Sequence, residues 1–418
     1  MESSPITKYW TKSLATLNGG FIWLWSAVCA FVISIVYRIS GSKILSTRDS
    51  DFLTAFPNFK ISNFFNKPYL FDGSLAEQWM GEQYWQYGPL HQILSLPLYL
   101  YSSIDDVTAF LFFFLLFLYL GTVLSFYRFT RASLKIDTRL VLLILITIVS
   151  YPFLSALNQR NFEIIEVSLV VFAMYSYSRS NYFAAGALLG AATGIKYLPG
   201  ILLLPLILER NWKALRGFCL VVVPQLIFVQ LYLGWENSFT IKLLTEGEEI
   251  TLPLRQGLAD VILRATGGSS GGNYNLIFVS LFILISLGMV LGVYRYIPRQ
   301  PIQCNRWKVW PLLLGVICLI SPHSNNYYFV FFVPLIIQIY NVLGDSKFTL
   351  DKIFFFVGLL LISLPLPLAV IWRILPSGSV EQWQQFLQNL QSLSPLFFGS
   401  LILVIVTLRN RGQLLNMK

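Results

Sequence analysis

A single lysine, Lys196, lies between two apolar runs, near 182–195 and near 197–208. Pro199 and Gly200 follow it closely, so the helix should break there. Each run is short for a bilayer crossing, which takes about 20 residues. We therefore expect a hairpin that crosses outward and returns, with Lys196 at its outer tip. Such a lysine either binds an anion at a membrane-embedded site or extends its ammonium to the interface from a helix end.

Other uncommon polar side chains come from distant parts of the chain and are predicted to meet Lys196 at one membrane face. They are acids, amides, an arginine, a tyrosine and a histidine: Asp49, Asp51, Gln159, Arg160, Asn161, Tyr197, Asn273, His323 and Asn325. A few convergent polar groups in an apolar frame are typical of a binding or active site. The sequence therefore predicts one site at the outer face.

These residue types suit a transfer reaction. A carboxylate such as Asp49 or Asp51 can act as general base on a hydroxyl. Lysine, arginine and amide groups can bind a phosphate and stabilise charge that develops on a phosphate leaving group. Together they favour transfer of a group from a lipid phosphate to an alcohol. The two aspartates could instead cap a turn or chelate a divalent cation, although we predict no metal.

Three polar residues of this face have a structural alternative. His323 could be only a turn residue rather than a catalytic one. Glu163 and Glu166 lie on one side of a helix, where they are expected to pair with Arg160 rather than to catalyse. No role in the reaction is assigned to either glutamate.

The composition places the chain in a membrane. Of its 418 residues, 56% are hydrophobic and 12% are charged, whereas a soluble domain has about 25% charged residues. Apolar runs predict about twelve crossings, near 20–39, 107–128, 140–156, 161–179, 182–195, 197–208, 215–233, 275–294, 309–320, 326–342, 353–374 and 394–408. The predicted fold class is an all-α polytopic membrane protein with short interfacial helices. Residues 1–418 form one domain, in which the outer loops 40–106 and 234–274 cap the site.

The distribution of charge sets the orientation. Most of the 30 lysines and arginines fall in the termini and the short loops that this path places inside, as the positive-inside rule requires. Both termini are then cytoplasmic, and the polar site faces outward. The formal net charge of +10 follows from this topology and indicates no nucleic-acid partner. The four cysteines lack the spacing of a metal site.

Four short stretches carry a family resemblance. They are Asp51-Phe52, Tyr87 to Leu90 with Pro97, Gln159-Arg160-Asn161 through Lys196 to Pro199, and Ser321-Pro322-His323. They resemble motifs of the type-C glycosyltransferases, multi-spanning enzymes that use polyprenyl-phosphate sugars, and are most similar to those of glycosyltransferase family 87. The block over 158–208 is the most specific part. Gly88 and Asn158 stand where the family usually has proline and glycine.

The resemblance implies an inverting, mannosyltransferase-like enzyme of a bacterial-type plasma membrane. Its donor would be a polyprenyl-phosphate sugar, and its acceptor a hydroxyl of a glycolipid or a glycan. Asp51 would be the general base, with Asp49 as the alternative and His323 as a further catalytic candidate. Lys196 and the polar residues near it would hold the donor, and no cofactor is implied.

Two other classes of protein are alternatives. A secondary transporter or lipid-glycan flippase would carry its charges near the membrane midplane within inverted repeats, and the sequence shows no clear repeat. A non-catalytic subunit of an envelope assembly is the other.

Overall fold

The computed structural model describes residues 19–39, 104–131, 151–158, 161–196, 198–233, 307–321, 326–344, 350–364 and 393–416, with scattered positions between them. Every regular element in these ranges is helical, as the apolar runs predict. The α-helices are α1 (Gly19–Ile39), α2 (Ile104–Arg131), α3 (Tyr151–Asn158), α4 (Glu163–Ser178), α5 (Tyr182–Ile195), α6 (Leu203–Leu208), α7 (Trp212–Leu233), α8 (Trp310–Ile320), α9 (Val333–Gly344), α10 (Leu350–Ser363), α11 (Pro395–Arg409) and α12 (Arg411–Asn416). Two 3₁₀ segments, Leu198–Leu202 and Asn326–Phe332, lead into α6 and α9.

One helix in the described part of the chain is long and apolar enough to cross a bilayer by itself. It is the Ala109–Thr130 part of α2, with a mean hydropathy of 2.4. The other apolar helical stretches found there are shorter, at 10–17 residues, such as Ile22–Ile35 within α1. The count of about twelve crossings therefore stays a prediction. The loops 40–106 and 234–274 lie largely outside the described residues, so the cap is untested as well.

Several helices present apolar side chains on their outer surface. Leu24 and Trp25 of α1 are more than half exposed, and so are Leu220 and Leu226 of α7. Water would make such a continuous apolar surface unfavourable, whereas lipid tails would not. This pattern is the one expected of helices that contact a bilayer.

Aromatic rings fill the interior between the helices. Tyr119 of α2 stacks on Phe153 of α3 with ring centroids 3.9 Å apart. Phe129 of α2 lies 4.2 Å from the ring of Trp307, in the turn before α8. Paired aromatic rings contribute to packing beyond the area that they bury. The interior therefore ties α2 both to α3 and to the start of α8, which lies far away along the chain.

A glycine seam joins α5 to α7. Gly186, Gly190 and Gly194 recur every four residues on one face of α5, and a Cβ atom at Gly186 would lie 1.8 Å from the Ala214 carbonyl oxygen. At Gly194 a Cβ atom would lie 1.7 Å from Oε1 of Gln225. Small residues at this spacing let two membrane helices approach closely. Because the contacts advance along both helices together, α5 and α7 run parallel.

Parallel neighbours require the chain to return between them. α5 ends at Ile195, and the 198–208 stretch leads back to the start of α7. The side-chain amide of Asn211 donates to the hydroxyl of Tyr177 at 3.4 Å. The start of α7 therefore lies beside the end of α4, and the return predicted after Lys196 is confirmed.

Candidate functional site

Lys196 marks the point where α5 stops. Its backbone leaves the helical region, with φ −144° and ψ 153°, while its N–H still donates to the Ala192 carbonyl oxygen. Pro199 explains the break, because its ring restricts the preceding residues and it has no N–H to donate. The lysine side chain starts at a helix C-terminus, where the helix dipole favours a cation.

The partner of Lys196 is the first residue of the neighbouring helix. Its Nζ donates to Oε1 of Glu163 and forms an ion pair with it. Glu163 is fully buried and Lys196 is 5% exposed. Glu163 opens α4, where the helix dipole favours an anion. Two antiparallel helices thus bring their complementary ends together around one buried ion pair.

Tyr328 completes the surroundings of the ammonium. Its ring centroid lies 4.7 Å from the Lys196 Nζ, a cation–π distance. Tyr328 belongs to the 3₁₀ segment before α9, and its carbonyl oxygen accepts from Sγ of Cys318 in α8 at 3.5 Å. The site is therefore built from four elements: α4, α5, α8 and the 3₁₀ segment.

Glu166 lies one turn beyond Glu163 on the same helix. It is fully buried and within electrostatic reach of Glu163 and Lys196. Among the residues that the structure describes, neither of its carboxylate oxygens has a hydrogen-bond partner, and neither does Oε2 of Glu163. Buried polar atoms without partners are uncommon in native proteins.

These contacts decide between the two interpretations of Lys196 and give Glu163 a partner. The lysine does not extend its ammonium into solvent, because the side chain is buried and paired. Glu163 pairs with Lys196, and Glu166 has no partner in the described ranges. The sequence could not show this, because the partner lies 33 residues away on another helix. Arg160, with which both glutamates are expected to pair, lies outside those ranges.

Of the predicted site residues, Lys196 and Asn161 lie in the described ranges. Asn161 is 3% exposed, and its backbone N–H donates to the Ala156 carbonyl oxygen at 2.8 Å, in the turn that leads into α4. It therefore lies at the same end of the α4–α5 pair as Lys196. The others fall outside the described residues: Asp49, Asp51, Gln159, Arg160, Tyr197, Asn273, His323 and Asn325. The described residues contain no cluster of three or more His, Cys, Asp or Glu side chains that could hold a metal ion.

The structure adds three residues that the sequence analysis did not assign to the site. They are Glu163, Glu166 and Tyr328. A signal existed for the glutamates, because two acids three residues apart at the start of an apolar run cannot both reach solvent easily. Tyr328 carries no such signal, since aromatic residues are common throughout the chain.

Residues 85–322, more than half of the chain, match the model of glycosyltransferase family 87. The match spans Glu163, Glu166 and Lys196, and it extends almost to Tyr328. No curated protein and no solved structure matches the chain.

Proposed function

Because the chain belongs to glycosyltransferase family 87, we propose that it transfers a sugar from a polyprenyl-phosphate donor to a hydroxyl group. The sugar is of the mannose type, and the acceptor is a glycolipid or a glycan. The reaction takes place at the outer face of a bacterial-type plasma membrane, with both termini in the cytoplasm. The family match is the observation that carries this proposal, and the buried cluster around Lys196 lies within it.

The reaction exchanges one bond to the anomeric carbon for another. The acceptor hydroxyl attacks that carbon and passes its proton to a carboxylate, which we assign to Asp51, with Asp49 as the alternative. The bond from the anomeric carbon to the phosphate oxygen breaks, and the lipid phosphate leaves with the electron pair. Attack opposite to the leaving group inverts the configuration. His323 is a further candidate for proton transfer.

The leaving phosphate needs positive charge and hydrogen-bond donors. Lys196 supplies an ammonium with three N–H donors, of which Glu163 accepts one. The ion pair holds the ammonium at the α4–α5 end in the ligand-free protein, so little reorganisation is needed when the phosphate binds. Gln159, Arg160, Asn161, Tyr197, Asn273 and Asn325 are assigned to the phosphate and the sugar.

The test is transfer of radiolabelled mannose from mannosyl-phosphoryl polyprenol by the full-length protein in proteoliposomes. We expect Asp51→Asn to lower transfer by about 100-fold or more, because general bases contribute on that scale. Asp49→Asn is the matched control, since it removes the same charge two residues away and should keep most of the activity. Adding EDTA should leave transfer unchanged.

Three results would contradict parts of this proposal. Full activity in Asp51→Asn and loss in Asp49→Asn would move the base to Asp49. Full activity in both variants would remove the aspartates from the mechanism. Absence of transfer in the wild-type protein, together with uptake of solute into the vesicles, would replace the enzyme by a transporter.

A further inference from the structure

Glu166 differs from every charged side chain of the cluster because nothing in the described part of the chain bonds to it. The carboxylate is fully buried, and both oxygens lack a donor. Glu163, one turn earlier, accepts a hydrogen bond from Lys196. Removing a polar group from water without giving it a partner is unfavourable, and the cost is larger for a carboxylate than for an amide. A partner therefore has to come from outside these residues.

The described hydrogen-bond donors near Glu166 are directed at other groups. Lys196 donates to Glu163, and the thiol of Cys318 donates to the Tyr328 carbonyl oxygen at 3.5 Å. Beside the Lys196 ammonium, which the proposed function assigns to the phosphate, the cluster offers a ligand three acceptors: both oxygens of Glu166 and Oε2 of Glu163. For an ionised Glu166, the missing ligand group must therefore be a hydrogen-bond donor.

A phosphate diester cannot be that group, because its oxygens only accept hydrogen bonds. The sugar of the proposed donor is a polyol, and each of its hydroxyls can donate to a carboxylate. Lys196 would then bind the phosphate, and Glu166 would bind the sugar. This inference rests on the proposed function, because its ligand is the sugar of the proposed lipid-phosphate substrate.

We propose that Glu166 binds hydroxyl groups of the transferred sugar and so determines which lipid phosphates the protein accepts as donors. A carboxylate with two open oxygens can accept from two adjacent hydroxyls at once. The interaction is stronger in a buried site than at a wet surface, because the local dielectric constant is low. Since Glu166 is fully buried, the sugar reaches it only when the side chains over it move.

The experiment compares two lipids of equal chain length, polyprenyl phosphate and mannosyl-phosphoryl polyprenol. Their affinities are measured for the full-length protein in nanodiscs, with Glu166→Leu as the main variant. We expect Glu166→Leu to lower the affinity for the sugar-bearing lipid by about 10- to 100-fold, which is the scale of a lost hydrogen bond to a charged group. Its affinity for polyprenyl phosphate should stay unchanged.

Three further variants sharpen this comparison. Glu166→Gln keeps one acceptor oxygen and should give an intermediate loss for the sugar-bearing lipid. Lys196→Met should lower the affinity for both lipids, because both carry a phosphate. Ser168→Ala is the matched control, since Ser168 is a fully buried residue of the same helix whose hydroxyl has no partner in the described ranges. It should change neither affinity.

Each other outcome overturns a defined part of the argument. Equal weakening of both lipids by Glu166→Leu would mean that Glu166 acts only through Lys196. Equal wild-type affinity for both lipids would mean that the sugar is not recognised. Saturable thermal stabilisation by MgCl₂ in the wild type, lost in Glu166→Leu, would assign a cation instead. If Glu166→Leu does not fold, Glu166→Gln takes its place. A ratio of the two lipid affinities that equals the wild-type ratio in Glu166→Gln then overturns the inference. If the wild-type protein binds neither lipid, the proposed function itself is wrong.

Discussion

The α4–α5 helix pair has two polar ends, and its tyrosine end is formed by Tyr177, Glu209 and Asn211. The hydroxyl of Tyr177 donates to the carboxylate of Glu209 and accepts from Asn211 Nδ2 at 3.4 Å. The side-chain oxygen of Asn211 also accepts from the Ala214 backbone N–H at 3.2 Å, near the start of α7. Asn181 caps α5 in the same way. Polar groups at this end meet ordinary helix-cap and side-chain partners.

The lysine end, formed by Glu163, Glu166 and Lys196, is built differently. All three side chains are buried, and the described contacts leave three carboxylate oxygens without donors. The same two helices therefore satisfy their polar groups at one end and leave acceptors open at the other. Since folding alone favours satisfied groups, these open acceptors are the observation on which the proposed sugar contact of Glu166 rests.

The largest expected effect comes from breaking the ion pair. Lys196→Met leaves Glu163 as a buried carboxylate without a counter-ion, which should cost about 3–5 kcal/mol of unfolding free energy. The double variant Glu163→Gln, Lys196→Met removes both charges, so most of that stability should return. Donor binding should stay lost in both variants because the ammonium is absent. Unfolding in SDS titrations and binding of polyprenyl phosphate measure the two effects separately.

A double variant that is no more stable than Lys196→Met alone would contradict this account. It would mean that the charges of the lysine end are not coupled, and that the lysine stabilises the helices by packing alone.

The sequence predicted the course of the chain around this site well. The apolar runs near 161–179 and 182–195 correspond to Glu163–Ser178 and Tyr182–Ile195. Pro199 located the break after Lys196. These features are local, because helix propensity, proline geometry and hydrophobic runs act within a few residues.

Pairings between helices could not be predicted in the same way. The contact of Glu163 with Lys196 depends on how α4 and α5 are rotated and offset, and that depends on packing along their whole length. The spacing of Gly186, Gly190 and Gly194 was a usable signal for close helix contact. It does not name the partner helix, which the structure identifies as α7.

A smaller effect should separate the two ends of the glycine seam. Near the tyrosine end, a methyl group at Gly186 would meet the backbone carbonyl of Ala214, which cannot move without shifting α7. Gly186→Ala should therefore cost about 1–3 kcal/mol, as overpacking does. Near the lysine end, a methyl group at Gly194 would meet the amide of Gln225, the flexible end of a side chain. Gly194→Ala should cost less.

Thermal unfolding in the same detergent compares the stability losses of Gly186→Ala and Gly194→Ala. Equal losses would show that Gln225 is held as firmly as a backbone, and that the seam does not loosen toward the lysine end.

The smallest expected effect lies at the tyrosine end. Tyr177→Phe removes the hydroxyl that donates to Glu209 and accepts from Asn211. The carboxylate of Glu209 is only partly buried, so water can replace the lost donor, and the cost should be about 1 kcal/mol. The affinity for polyprenyl phosphate should not change, because Lys196 lies at the other end of the helices. If Tyr177→Phe weakened lipid binding as much as Lys196→Met, the two ends would be coupled through α4 and α5, and the separation of a structural end from a ligand-binding end would fail.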